Sequence, residues 1–570
     1  MCGIAGYISF SEGGALLERE NISNMLKTIN HRGPDSNGIV VFDKLVLGNN
    51  RLAIIDLSEN ANLPMSTKDE SVWICFNGEI SNYKELLVKY DLKAKYDFKS
   101  DADTEVILYL YKLLGIDFIN ELSGMFVFTL FDKTKNTAFI VRDFYGILPL
   151  FYYQDNKGLY FASEIKAFLE LPSFEKRLNK EAIYHFFSLA YIPDEMTPYE
   201  NLKELRGANL LEIDLSNNHI EKKKYYQFNY KENFDISKEV AVKTTKDLII
   251  QSVERNLISD APLGMTLSGG IDTSAMLGVV KHLGLSSKMN TFSLKMGETS
   301  FDESKYQQLM AKYAGSIHHE IEVKAKDVID NIYKQIAHTD EPNGNGACIP
   351  SFILAEQASK HVKVLLSGEG GDELFNAYPT ISAYQYRKVY RKIPRPVRSL
   401  IMGVVNNIPT DYRKLSFDFK AKRFTAGAEL SVPDSHMYWR HVLKDNEKKS
   451  LLNMHVFPAE TENFYRDIFN NSGIEEDLNK ISLIDMKYFF MDDLMVKNDR
   501  TFLANSVEGR FPFMDKDLVD FVTQLPLEYR VRNFNKLRWV EKEAMKDFLP
   551  KEIYKRDGFG LEMPHSIWFM

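Results

Sequence analysis

The second residue of this 570-residue chain is a cysteine, in Met1-Cys2-Gly3-Ile4. A small residue there normally permits removal of the initiator methionine, which would leave Cys2 with both a thiol and a free α-amine. Such a residue carries its own general base, because an α-amine titrates near pH ~8 and can take the thiol proton directly or through water. Downstream stand His31-Arg32-Gly33-Pro34-Asp35, Arg51-Leu52-Ala53-Ile54-Ile55-Asp56, Phe76-Asn77-Gly78-Glu79-Ile80 and Ser100-Asp101-Ala102-Asp103-Thr104-Glu105. Were the substrate glutamine, the site would need an arginine for the α-carboxylate and acids for the α-ammonium, and Arg51 with the pair Glu79 and Asp103 meets that need. It would also need donors for a tetrahedral oxyanion, which the Asn77 side chain and the Gly78 amide can supply.

A second set lies two hundred residues on. Leu267-Ser268-Gly269-Gly270-Ile271-Asp272-Thr273-Ser274 follows a short strand pattern and opens a helical one. In that context backbone amides and a helix N-terminus hold phosphate, with the hydroxyls of Ser268, Thr273 and Ser274 as further donors. The segment is not a Walker loop, which would carry a lysine before its last Ser/Thr. Ser367-Gly368-Glu369-Gly370-Gly371-Asp372-Glu373 again follows a strand. Two acids from two strand ends, Asp272 and Asp372, suit Mg²⁺ on a pyrophosphate leaving group.

The elements that must position these residues fall into two groups. From Leu45 to about Ser163 short strands follow one another too closely for parallel crossovers, so they pair mainly as antiparallel neighbours, with one amphipathic helix near 104–114. After a polar stretch at 216–235, read as an exposed connection, strand and helix patterns alternate to about Gly371, which predicts a parallel sheet covered by helices. The remainder, from Pro379, reads as mostly helical. The expected class is α/β (α+β overall): an N-terminal layered antiparallel β-sandwich over 1–215, and a parallel-sheet domain with a helical extension over 236–570. Hydrophobic residues at 44% and charged residues at 26% place the chain among soluble globular proteins. A net charge of -8 argues against coating nucleic acid. Three cysteines without framework spacing, no basic leader and no long apolar run predict a reduced, cytoplasmic protein without a membrane span.

Taken in order, the first set resembles the class II glutamine amidotransferases with an N-terminal nucleophile (the Ntn fold), in particular the glutaminase domain of the asparagine synthetase family; Leu122-Ser123-Gly124-Met125-Phe126 and Ser163-Glu164-Ile165-Lys166-Ala167 add to the match. The second set resembles the pyrophosphate-binding loop of the PP-loop ATP pyrophosphatases, which adenylate a carboxylate. The resemblance implies Cys2 as nucleophile, Asn77 and Gly78 as oxyanion hole, and Arg51, Asn77, Glu79 and Asp103 as glutamine contacts. It further implies ATP held by 267–274, with Leu267 and Leu294 at the adenine or ribose, Ser367 and Gly368 at the nucleotide, and Glu369 in amidation of the acceptor. It implies ATP and Mg²⁺ as cofactors, glutamine and a carboxylate acceptor, aspartate first, as substrates, and a homodimer.

The chain also departs from the family pattern. Arg142-Asp143-Phe144-Tyr145-Gly146-Ile147-Leu148 lacks two usual cations, which predicts a changed contact between the domains. Asn345 stands for a usual aspartate. The family's catalytic lysine sits twelve residues before a Leu-Pro proline; that count from Pro550 reaches Arg538, with Lys536 two residues earlier, so either can be the cation facing the acyl-adenylate. Arg556-Asp557-Gly558-Phe559 lacks the cationic pair expected before Gly-Phe. A sugar uronate or another metabolite carboxylate is the alternative acceptor, and a silent regulatory homologue the alternative outside enzymes.

Overall fold

A computed structural model describes residues 1–534, 536–556 and 563–568. The N-terminal part is two six-stranded antiparallel sheets. The first runs, edge to edge, Leu202–Glu204, Phe151–Gln154, Gly158–Ala162, Gly3–Ser9, Leu45–Arg51 and Ser36–Val41. The second runs His219–Lys224, Asn209–Asp214, Thr137–Arg142, Gly124–Asp132, Val72–Ile80 and Met65–Ser66. Gly3–Ser9 is buried at all seven positions because it lies in the middle of its sheet, with the helix Arg19–Thr28 on one face and Val72–Ile80 of the second sheet on the other. The helix Asp103–Leu114 covers Val72–Ile80 in turn. The predicted sandwich therefore stands, with its helices outside the two sheets.

The boundary expected at residue 215 falls inside this sheet. The segment 216–235, read as a connection, contains the edge strand His219–Lys224, paired antiparallel with Asn209–Asp214. Its side chains are almost all exposed, so it carries no alternating apolar signal. The coil that follows it leads to the helix Lys238–Asn256.

The second part is built on a five-stranded parallel sheet in the order Ile317–Val323, Asn290–Met296, Leu263–Thr266, Val364–Leu366, Glu508–Arg510. The chain winds outward in one direction from Leu263–Thr266 and then returns to its other side with Val364–Leu366. The gap between those two strands is the switch point at which such sheets bind ligands. Sequence patterning does not reveal Glu508–Arg510, which is three residues long and has two charged side chains. A run from Asp485 to Met495 is wound as a π-helix, a form concentrated at functional sites. Among the described residues no helix is long and apolar enough to cross a membrane.

Candidate active sites

Cys2 comes to residue 77 because Gly3–Ser9 and Val72–Ile80 lie in facing sheets. The Cys2 backbone N–H donates to Asn77 Oδ1 at 2.6 Å. This leaves Asn77 Nδ2 buried with no partner in the protein. A buried donor without an acceptor is costly, and next to a thiol nucleophile it is what a developing oxyanion needs. Residue 78 has to be glycine: a Cβ there would stand 2.2 Å from the Met125 carbonyl oxygen.

Glu79 repeats the pattern with opposite polarity. Its Oε2 accepts from Arg510 Nη2 at 3.0 Å, while Oε1 is buried and unpartnered. Asp103 opens the helix Asp103–Leu114 and accepts the N–H groups of Ile80 and Thr104, each at 2.9 Å. Arg51 donates to the carbonyls of Ser58, Ile55 and Asp56 and to Asn62 Oδ1, so any substrate carboxylate shares its guanidinium with that loop. Cys2, Arg51, Gly78, Glu79 and Asp103 line one pocket, together with Glu508 from the second domain. Burial pushes the Cys75 and Cys348 thiols up to about 12 and raises the Cys2 thiol as well, but of the three only Cys2 lines this pocket, where the terminal ammonium, the Leu52 N–H and Arg51 pull against that rise.

Burial also pushes the Asp103 carboxyl up to about 6, and drives Glu79 well above the glutamate range against the opposing pull of Arg510. An acid with a raised value is neutral below it and charged above it, so the pocket loses negative charge as pH falls through about 6. The kcat/KM for glutamine, which reports the free enzyme, should fall about tenfold across that step, the loss of one charge-assisted hydrogen bond. Asp103→Asn should flatten the step; a profile unchanged by that substitution would remove Asp103 from ammonium binding.

At the switch point of the parallel sheet, the loop after Leu263–Thr266 enters the helix Ile271–His282 through Gly269, whose φ is +76°, and Gly270. Ser268 Oγ and Thr273 Oγ1 lie 3.1 Å apart, and Ser274 Oγ is buried without a partner. The neighbouring loop approaches so closely that a Cβ on Gly371 would sit 2.0 Å from Asp272 Oδ1, and one on Gly368 would sit 2.9 Å from the Thr273 methyl. Glycine at both positions is what lets Asp272 and Asp372 converge.

The cation they converge on is Arg538. Its Nη1 lies 2.9 Å from each Asp272 oxygen and 3.2 Å from Glu541 Oε2, and its Nη2 pairs with Asp372. Lys536, the alternative, is exposed and makes a backbone bridge to Arg532. Beside the loop, Leu267, Phe292, Leu294, Met296 and Gln307 line an apolar pocket, where Gln307 Oε1 is a buried acceptor without a partner. Gln307 escapes the sequence reading because one glutamine in a helix carries no pattern. Arg556 donates to the Gly269 carbonyl at 2.8 Å and stacks over Tyr306, so it braces the loop. The Gly558-Phe559 part of that motif lies outside the described residues.

Residues 1–226 match the glutamine amidotransferase domain family, and residues 244–570, more than half of the chain, match asparagine synthase. The chain belongs to the glutamine-hydrolysing asparagine synthetase family. It is 31% identical over 574 residues to asparagine synthetase (glutamine-hydrolyzing) 1 of Bacillus subtilis strain 168, covering 100% of this chain and 88% of that protein. It is 36% identical over 437 residues to a putative asparagine synthetase (glutamine-hydrolyzing) 2 of Methanocaldococcus jannaschii, covering 71% of this chain and 83% of that one.

Within an asparagine synthetase fold, the two family departures on the acceptor side acquire a local explanation. Asn345 Nδ2 donates to both oxygens of Asp493, at 3.1 Å each, and Asn343 donates to the same carboxylate at 3.2 Å. Asp493 comes from the π-helix, so an acid is present beside the position where Asn345 replaces one. Glu369 pairs with Lys497 at 2.6 Å, on the helix Val496–Leu503. Of the two candidate cations, Lys536 is exposed and Arg538 is the one that pairs with Asp272 and Asp372.

The same helix reaches the candidate site around Cys2. Asp499 receives Arg32 through two bonds of 2.7 and 2.8 Å, and Arg32 Nε donates to the Cys2 carbonyl at 3.1 Å. At the altered 142–148 segment, Phe144 meets Tyr226 edge to face at 5.1 Å and Lys516 lies 5.7 Å over its ring. Aromatic packing stands at the first of the two missing cations, and at the second Leu148 is fully buried.

Proposed function

We propose that the chain hydrolyses glutamine at Cys2 and uses the ammonia to convert aspartate to asparagine, with ATP cleaved to AMP and pyrophosphate. The observation that carries this reading is a pairing within one chain. Asn77 Nδ2 and Glu79 Oε1 are orphaned beside Cys2, and Asp272 and Asp372 converge on Arg538 at the switch point.

In the first site the freed Cys2 amine takes the thiol proton, the sulfur attacks the amide carbon, and Asn77 Nδ2 with the Gly78 amide receives the oxyanion. Glu79 and Asp103 hold the glutamine α-ammonium, and Arg51 its carboxylate. In the second, Leu267, Leu294 and Gln307 support adenine and ribose binding, and the amides and hydroxyls of 268–274 with Ser367 and Gly368 take the phosphates. Asp272 and Asp372 fit a divalent ion, because Mg²⁺ is commonly bound by one or two carboxylates plus substrate phosphates. That ion would neutralise charge on the pyrophosphate leaving group. Arg538, relieved of the two acids, supplies positive charge as ammonia attacks the acyl-adenylate, and Glu369 with Lys497 orients the acceptor.

The test is pyrophosphate release with ammonium as donor and a panel of carboxylic acids. Aspartate should support release at least tenfold above every sugar uronate, with AMP in equal amount. Release with a uronate and none with aspartate would overturn the acceptor and leave the two half-reactions standing.

A further inference from the structure

The wall of the glutamine pocket contains an acid from the wrong domain. Glu508 is buried, in the edge strand Glu508–Arg510 of the synthetase sheet. Its Oε1 accepts from Arg510 Nε at 2.7 Å, and its Oε2 accepts from the α-ammonium of Met1. Burial alone would raise the Glu508 carboxyl, but that ammonium and Arg510 override it and hold the group below the ordinary glutamate value.

Met1 is thus an ammonium group seated in the pocket that Cys2, Glu79 and Asp103 also line. The glutaminase reading, on which this inference rests, requires Met1 to be gone. The freed Cys2 amine keeps its hydrogen bond to Asn77 Oδ1 at 2.6 Å, and it must be unprotonated to take the thiol proton, so it brings no positive charge to Glu508 in place of the Met1 ammonium. Removal of Met1 therefore leaves Glu508 Oε2 buried without its partner, beside Glu79 Oε1, which has none. Arg510 cannot compensate: its Nε, Nη1 and Nη2 are committed to Glu508, to the carbonyls of Asn256 and Ile258, and to Glu79. Three carboxylates, Glu79, Asp103 and Glu508, then surround a pocket whose two guanidiniums are already engaged, Arg510 by Glu79 and Glu508 and Arg51 by the carbonyls of Ile55, Asp56 and Ser58, and a desolvated excess of negative charge calls for a cation with several donors. An α-ammonium has three N–H groups and a positive charge.

We propose that Glu508 receives the α-ammonium of glutamine together with Glu79 and Asp103, so that the synthetase domain completes the glutamine site. The strand that carries it also holds the nucleotide side: the Ser367 N–H donates to the Arg510 carbonyl at 2.8 Å, and Val364–Leu366 pairs with Glu508–Arg510 just before the 367–372 loop. Glutamine binding and the loop that carries Glu369 are therefore tied to one strand.

The experiment compares glutamine with 4-carbamoylbutanoate, which is glutamine without its α-amine, on the full-length processed enzyme and on Glu508→Gln. The KM for glutamine should rise about 10- to 100-fold with kcat within about threefold, the size of one lost charge-assisted bond. Hydrolysis of 4-carbamoylbutanoate should change less than twofold. Pyrophosphate release with ammonium reports that the variant is folded, and Glu508→Asp, which keeps the charge, should recover most of the glutamine affinity. Equal losses on both amides would mean that Glu508 serves the Cys2 amine or the domain contact, and would overturn the proposal. An unchanged KM for glutamine would do the same. A parent enzyme inactive on glutamine would fail the glutaminase reading and the proposal with it.

Discussion

Cys2→Ala should abolish glutamine hydrolysis, by on the order of a millionfold in kcat, while synthesis from added ammonium continues. The size of the effect follows from the lack of a substitute. Cys75 and Cys348 are buried, and their thiols are pushed up to about 12 by that burial. Nothing in the variant changes Asp272, Asp372 or the loop at 268–274, so ammonia supplied from solution meets an intact acyl-adenylate site. Assays of glutamate release and of ammonium-dependent pyrophosphate release on the same preparation check both halves. Residual hydrolysis at the parent rate would place the nucleophile elsewhere.

The second large effect is expected at the switch point. Asp272→Asn removes the carboxylate that holds Arg538 at 2.9 Å through both oxygens and that faces the pyrophosphate loop. AMP formation should fall by at least about a thousandfold with glutamine or ammonium alike, because a site deprived of several kcal/mol of charge stabilisation loses the adenylation step itself. Basal glutaminase should survive, since Cys2, Asn77 and Glu79 belong to the other sheets. Quantifying AMP, ADP and glutamate by chromatography separates these outcomes. ADP with inorganic phosphate as products, in the parent or the variant, would rule out cleavage between the α and β phosphates.

Much of this arrangement was legible in the sequence because its signals are local. The strands before Ser268 and Ser367 stand where the sequence analysis expects them, since short apolar runs ending in glycine-rich loops mark them. Cys2, Glu79 and Asp103 line one pocket and Asn77 accepts the Cys2 N–H, each from a motif visible in the sequence. Features set by long-range pairing were not legible. Glu508–Arg510 is a strand because its backbone pairs with Val364–Leu366, while its charged side chains turn to Met1 and Glu79 of the other domain, and not because of any β pattern. His219–Lys224 is solvated on nearly every side chain and so resembles a linker. The choice between Lys536 and Arg538 depends on which side chain the turn before the helix Trp539–Met545 aims inward, and residue 538 adopts a left-handed φ of +48° there. Spacing alone cannot show that.

On this account one chain moves an amide nitrogen from glutamine to aspartate while ATP is cleaved to AMP and pyrophosphate. The most direct measurement incubates the protein with glutamine labelled with ¹⁵N at the amide, with aspartate and with Mg-ATP, and follows the label by mass spectrometry. The account predicts ¹⁵N in the side-chain amide of asparagine, with AMP and pyrophosphate formed in equal amounts and no label transferred by Cys2→Ala. Labelled ammonia released without labelled asparagine, while another carboxylic acid accepts the nitrogen, would contradict it.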